Sequence, residues 1–213
     1  IEKLFYLIRI KVNNLEKISN NIKVLDKKKA LEGYLNSFYN LTSSIGNLRK
    51  SINNASRLNE TILLVGEIGT GKTEVANRIY SLSKFSNNPF YIVDFVSMNS
   101  KERSDFLHKE SSPLYDIGST FNIKIDDQLC SSDFKDLITI LSNSRVCKDN
   151  KCIISFKLEF GQKSSDYLKE LTEKISFMSI YLSPLREHLS DIINLSNLYL
   201  DEQNSISNKH IVG

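Results

Sequence analysis

The sequence predicts an α/β fold, a five-stranded parallel sheet with helices on both faces, and three observations point to it. From residue 61 onward short apolar runs alternate with amphipathic stretches, the pattern of strands joined by covering helices. The run Ile62-Leu63-Leu64-Val65 passes directly into Gly66-Glu67-Ile68-Gly69-Thr70-Gly71-Lys72-Thr73, which reads G-x-x-x-x-G-K-T, a phosphate-binding P-loop in its strand-to-helix setting. A chain of 213 residues with 40% hydrophobic side chains is large enough for one such core and a small appendage.

Residues 1–43 precede that core. Leu4, Ile8, Leu15, Ile18, Ile22 and Leu25 recur at alternating four- and three-residue spacing, with Lys11 in the one position of the series that should be apolar. This is a short heptad seam, suited to a helical connector that either associates with a second copy or folds back on its own chain. A second helical pattern, Leu31, Leu35, Phe38, Leu41 and Ile45, follows the triplet Lys27-Lys28-Lys29. Residues 1–60 hold 11 Lys and Arg against 5 Asp and Glu, whereas the rest of the chain holds 17 against 20. The basic excess therefore sits outside the nucleotide module, where a solvated helix face explains the lysine triplet better than nucleic acid does.

Within the core, strands are expected near 61–65, 90–96, 120–125, 151–156 and 177–182, and helices near 72–84, 100–109, 132–143 and 165–175. Beyond the last strand, Leu189, Ile192, Ile193, Leu195, Leu198 and Leu200 give a strongly apolar helix that opens another subdomain. No run reaches the ~18–20 apolar residues of a membrane helix, so an intracellular, cytoplasmic protein is expected. The chain opens on Ile and not Met, so it is read as part of something longer. Cys130, Cys147 and Cys152 form no C-x-x-C pair, and His108, His188 and His210 lack ligand spacing, which favours free thiols over a metal centre.

The chemistry of the P-loop follows from its residue types. Glycines let successive N–H groups converge on an anion, and the helix that opens near Lys72 adds its positive end. Lys72 reaches the β- and γ-phosphates, and the Thr73 hydroxyl is the expected ligand for Mg²⁺. The expected cofactors are thus ATP and Mg²⁺, although nothing in the sequence reads the base.

Three stretches, the P-loop among them, resemble one family, the AAA+ domain of the bacterial enhancer-binding proteins that act on sigma-54 RNA polymerase. The P-loop is similar to that family's GESGTGK and is preceded by Ser44 to Ala55 in the place of a lead-in helix. Asn88-Pro89-Phe90-Tyr91-Ile92-Val93-Asp94 resembles its PF-x-x-(V/I)-N-C strand. Leu182-Ser183-Pro184-Leu185-Arg186-Glu187-His188-Leu189-Ser190-Asp191-Ile192 resembles LPPLRER-x-x-DI. The resemblance implies an AAA+ core at 44–187, the start of a helical lid at 188–213, homo-oligomers, a protein partner, and DNA contacts only through regions outside this chain. It also implies that Arg186 lies near the adenine end, at the junction with the lid.

The departures from that family bear on catalysis. Only Phe106 to Ile117 fills the interval where the family carries its sigma-contacting Gly-Ala-Phe-Thr-Gly-Ala loop. Gly118-Ser119-Thr120-Phe121-Asn122-Ile123 resembles GGTLFL, so the ungapped register puts Lys124 and Ile125 at the Asp-Glu pair of Walker B. A two-residue slip would instead bring in Asp126 and Asp127 as the catalytic acids. Leu168 and Lys174 fall at the family's two arginines, Leu158 at its polar sensor, and Asp94 at an Asn. A module that binds nucleotide and hydrolyses it weakly or not at all is therefore expected. The alternatives are an active ATPase using Asp126 and Asp127, and an interaction module with a vestigial loop.

Overall fold

The computed structural model describes residues 21–25, 45–143 and 145–207. In order these form β1 (Ile22–Leu25), α1 (Ile45–Arg57), β2 (Thr61–Glu67), α2 (Lys72–Leu82), β3 (Phe90–Asp94), α3 (Ser100–His108), β4 (Thr120–Ile125), α4 (Ser131–Asn143), a short α5 (Val146–Asp149), β5 (Lys151–Leu158), α6 (Asp166–Lys174), β6 (Phe177–Leu182) and α7 (Leu189–Ser207). Turns of 3₁₀ helix lie at Pro113–Tyr115 and Leu185–Glu187.

The strands form one sheet in the order β1-β3-β4-β5-β2-β6. The five expected strands are present and mutually parallel, each beginning at the residue expected. A sixth, β1, corrects the five-strand expectation: it runs antiparallel to β3, with Ile22 opposite Val93 and Leu25 opposite Phe90. Ile22 and Leu25, which the heptad pattern assigned to a helix, are therefore strand residues. The competing signal is the period-two alternation of Ile22, Lys23 and Val24, which are buried, exposed and half-buried in turn. The remainder of the heptad seam lies outside the described residues, as does the second helical pattern up to its last member, Ile45.

The parallel strands are buried on both faces, which is why β2 reads as an unbroken apolar run. One face carries the larger core, in which Leu63, Val65, Phe121, Ile123, Ile125, Ile154 and Phe156 pack beneath α3, α4 and α6. The other carries Ile62, Leu64, Ile92 and Ile153 under Ile52 and Ala55 of α1 and Val75, Ala76 and Ile79 of α2. Tyr80 of α2 stacks on Phe90 of β3 with ring centroids 4.7 Å apart, tying the helix after the P-loop to the neighbouring strand.

Two polar devices set the flanks of this framework. Asn99 caps α3 by accepting from the Glu102 N–H, and the Glu102 carboxylate accepts from the Asn99 N–H, both at 3.0 Å. Lys151, the first residue of β5, is fully buried and donates its ammonium to the carbonyls of Ala55 and Leu58 at 2.6 Å and of Glu60 at 3.4 Å. Those carbonyls terminate α1 and lead into β2, so a buried cation closes the negative end of the helix. Between α3 and β4 the chain turns tightly: the Ser112 hydroxyl donates to the Phe106 carbonyl at 2.6 Å, and Leu114 is fully buried. Among the described residues no helix is long and apolar enough to cross a membrane.

Candidate functional site

The site is assembled at the C-terminal ends of β2, β4 and β5. Strand β2 carries Gly66 and Glu67 to its end, Ile68 to Gly71 make the turn, and Lys72 and Thr73 begin α2. Gly66 is required by its neighbour strand: a Cβ there would stand 2.6 Å from the Leu182 carbonyl of β6 and 2.7 Å from the Thr70 hydroxyl. Gly71, the residue before α2, has φ 85°, a left-handed conformation that favours glycine. Gly66→Ala is expected to destabilise the fold by about 2 kcal/mol through overpacking against β6, measured by chemical denaturation.

The loop holds itself together through its own carbonyls. The Thr70 hydroxyl donates to the Glu67 carbonyl at 2.9 Å, and the Lys72 ammonium donates to the carbonyls of Gly66 at 2.7 Å and Glu67 at 2.6 Å. Burial pulls the Lys72 pKa down to about 8, and the like charges of Lys124 and Lys157 add to the effect. Ile68 projects into solvent, 84% exposed, so its side chain takes no part in the cradle.

The Glu67 side chain is held by partners outside the loop. Its carboxylate accepts a bidentate pair from the Arg186 guanidinium, with Nη1 at 2.7 Å, and a bond from the Gly161 N–H at 3.0 Å. These partners, Arg186 foremost, hold its pKa down at about 2. The Arg186 guanidinium also lies over the Phe160 ring, 4.5 Å from its centroid. Arg186, expected near the adenine end, is thus placed on the second residue of the P-loop, and it links that loop to the segment leading into α7.

The sheet register decides what lies under the first turn of α2. Lys124 pairs with Asp94 on β3 and Ser155 on β5, and Ser155 pairs in turn with Leu64 of β2. Ile125 points the other way, into the larger core. One step further along, Gly66 pairs with Lys157, whose ammonium contacts the buried Asp126 carboxylate at 2.7 Å. The second Asp126 oxygen accepts from the Gln128 N–H at 2.9 Å, and Asp126 raises the Lys157 pKa. Asp127 is exposed and accepts from the Gln162 side chain at 3.3 Å. It borders a polar hollow of about 460 Å³ together with Ser165, Asp166 and Tyr167, a space that includes no P-loop residue.

The structure thus gathers Gly66 to Thr73, Lys124, Asp126 and Arg186 at one rim and leaves Asp127 outside it. Lys157 and Phe160 were not legible as site residues. A lysine near the end of an otherwise apolar strand was the available signal for the first. The second depends on an arginine distant in sequence. Leu158, at the position of a polar sensor, is buried in the larger core.

Residues 39–112 match the sigma-54 interaction domain family. The chain is 24% identical over 191 residues to the Nif-specific regulatory protein of Rhizobium etli and 27% identical over 186 residues to that of Azorhizobium caulinodans. These matches cover 76% and 74% of the chain but only 32% and 29% of the relatives. Among solved structures, NtrX from Brucella abortus in complex with ATP superposes with a TM-score of 0.64 at 16% identity, covering 77% of this chain and 42% of that one. The chain is thus similar to the sigma-54 interaction domain over residues 39–112 and shares the fold of NtrX. The complex of the same NtrX with ADP gives a TM-score of 0.63 at the same identity, covering 79% of this chain and 42% of that one. The domain spans about a third of the length of the curated relatives it matches.

Proposed function

We propose that this domain is an ATP-binding regulatory module with little or no hydrolysis and without a sigma-54 contact loop. The observation that carries the proposal is the pairing of an intact P-loop with a basic floor. The Lys72 ammonium stands near Lys124 and Lys157, and the nearest buried acid, Asp126, is already bound by Lys157. Anion binding would exchange two neutral carbonyl acceptors on Lys72 for phosphate oxygens, and charge-assisted bonds are roughly twice as strong as neutral ones. It would also relieve the like-charge repulsion around Lys72. Nucleotide binding is further supported by the NtrX structures, whose complexes contain ATP and ADP.

In this reading the backbone from Gly66 to Gly71 holds the phosphates, with Glu67, Ile68 and Thr70 serving through their main chain. Lys72 contacts the β- and γ-oxygens, and Arg186 holds the loop from behind through Glu67. The chemical step lacks its groups. Neither candidate acid offers a free carboxylate to orient water in the rim, since Asp126 is ion-paired and Asp127 faces the far hollow. The Mg²⁺ expected at Thr73 meets an unsuitable donor set: one hydroxyl, and an ammonium in the place of the carboxylate that would hold the metal's water. The short 109–119 connection supports the absence of a contact loop between α3 and β4. Assembly into homo-oligomers, a protein partner and DNA contacts through other regions remain part of the proposal, as they follow from the family.

The rival reading is an active ATPase, and the buried place of Asp126 directly after β4 favours it. Phosphate release at saturating ATP and Mg²⁺, at protein concentrations that permit assembly, separates the two. Negligible release by the parent chain supports a binding module. A robust rate that collapses in Asp126→Asn or Asp127→Asn overturns it in favour of the ATPase.

A further inference from the structure

The pairing of β4 determines the charge that a polyphosphate meets from the sheet side. Asn122 pairs with Ile92 and Ile153, both in the core beneath α1 and α2, so that face of β4 is the nucleotide face. The Asn122 side chain accepts from the Ser155 hydroxyl at 2.7 Å on the same face. Lys124 follows Asn122 by one pleat and shares that face, under the first turn of α2. No described carboxylate comes within ion-pair distance of it. Its strand partner Asp94 instead accepts from the Ser97 N–H at 3.2 Å.

A metal that bridges the β- and γ-phosphates needs oxygen ligands in octahedral array and carboxylates behind its water shell. The shell would here face the Lys124 ammonium, and the next acid along, Asp126, is neutralised by Lys157 at 2.7 Å. Two cations directed at one set of phosphate oxygens repel each other, so a lysine in this position competes with Mg²⁺ for the same charge.

We propose that this P-loop binds nucleoside triphosphate free of Mg²⁺, with the Lys124 ammonium supplying from the sheet the positive charge that a metal ion supplies elsewhere. The inference rests on the reading of the loop as a nucleotide site and names the form of ligand it takes. Complexation by Mg²⁺ removes negative charge from the phosphates and adds a cation that Lys124 opposes, so the metal weakens binding here.

Titration calorimetry of the full chain with ATP, in excess EDTA and in excess MgCl₂, tests this. The dissociation constant in EDTA is expected to fall below that in Mg²⁺, and Lys124→Asp is expected to reverse the order, binding about tenfold more weakly in EDTA than in Mg²⁺. Lys124→Gln, which keeps the stem of the side chain without its charge, is expected to lose about tenfold in EDTA. Thermal melts of each variant establish that it is folded. Parent binding that is about tenfold or more tighter in Mg²⁺ than in EDTA overturns the proposal while leaving the nucleotide reading intact. Binding in neither buffer overturns the nucleotide reading, and this proposal with it.

Discussion

Lys72→Ala is expected to abolish the rise in melting temperature that ATP gives the parent domain. With free nucleotide at ~100 times its dissociation constant, the parent gains about 2.7 kcal/mol, which corresponds to about 5–10 °C for a domain of this size. The variant loses the ammonium that, in the proposed reading, exchanges the Gly66 and Glu67 carbonyls for phosphate oxygens. Its stability without nucleotide should stay within about 1 kcal/mol of the parent. The lost bonds to the Gly66 and Glu67 carbonyls are offset by relief from burial and from the charges of Lys124 and Lys157. Lys72→Arg keeps the charge but replaces a compact ammonium by a planar fork, so only partial recovery is expected. Differential scanning fluorimetry over a nucleotide series measures all three proteins, and a full ligand-induced shift in Lys72→Ala would overturn the placement of ATP on this loop.

The largest effect on the fold itself is expected at Lys151, at the opposite end of β5 from the P-loop rim. Lys151→Ala should cost about 3 kcal/mol in unfolding free energy, because each carbonyl left buried without a donor costs ~1–3 kcal/mol and two of the three lie at 2.6 Å. Relief from burying a charge works against that loss, which is why Lys151→Met, which fills the same volume, should be the milder variant. The pH dependence carries a definite sign. Burial lowers the Lys151 pKa from 10.5 to about 8. Between those values the unfolded chain retains a proton that the folded chain has released, so stability rises with pH across this window. The advantage of the parent over Lys151→Met should therefore widen from pH 8 to 10.5 and be constant below it. Urea denaturation at a series of pH values measures this, and a difference that narrows with rising pH would show that Lys151 is not buried as a strained cation.

How much was legible in the sequence depended on the range of the signal. The P-loop, the parallel strands and the helices between them announce themselves locally, through apolar runs of strand length, glycines at fixed offsets and helical periodicity. Strand β1 was hidden by a stronger pattern of the wrong period, and four residues are too few to outweigh it. The Glu67–Arg186 pair joins residues 119 positions apart, and its two halves sat in separate motifs with nothing to indicate that they meet. Lys151 was illegible for another reason: a lysine opening a strand reads as exposed, and only the meeting of β5 with the end of α1 shows that it must be buried.

The antiparallel strand β1 has a consequence for solubility. Strand β3 is apolar, with Phe90, Tyr91, Ile92 and Val93 all buried, and without a partner on its outer side it would offer a row of free N–H and C=O groups for pairing with another chain. β1 takes up that row and presents in its place a short outer strand with the exposed Lys23 at its middle, a feature that opposes further strand addition. A chain shortened to begin at residue 44 would carry the P-loop intact and yet leave this flank sticky. Aggregation of such a fragment would reflect the lost guard strand and not a failure of the core to fold.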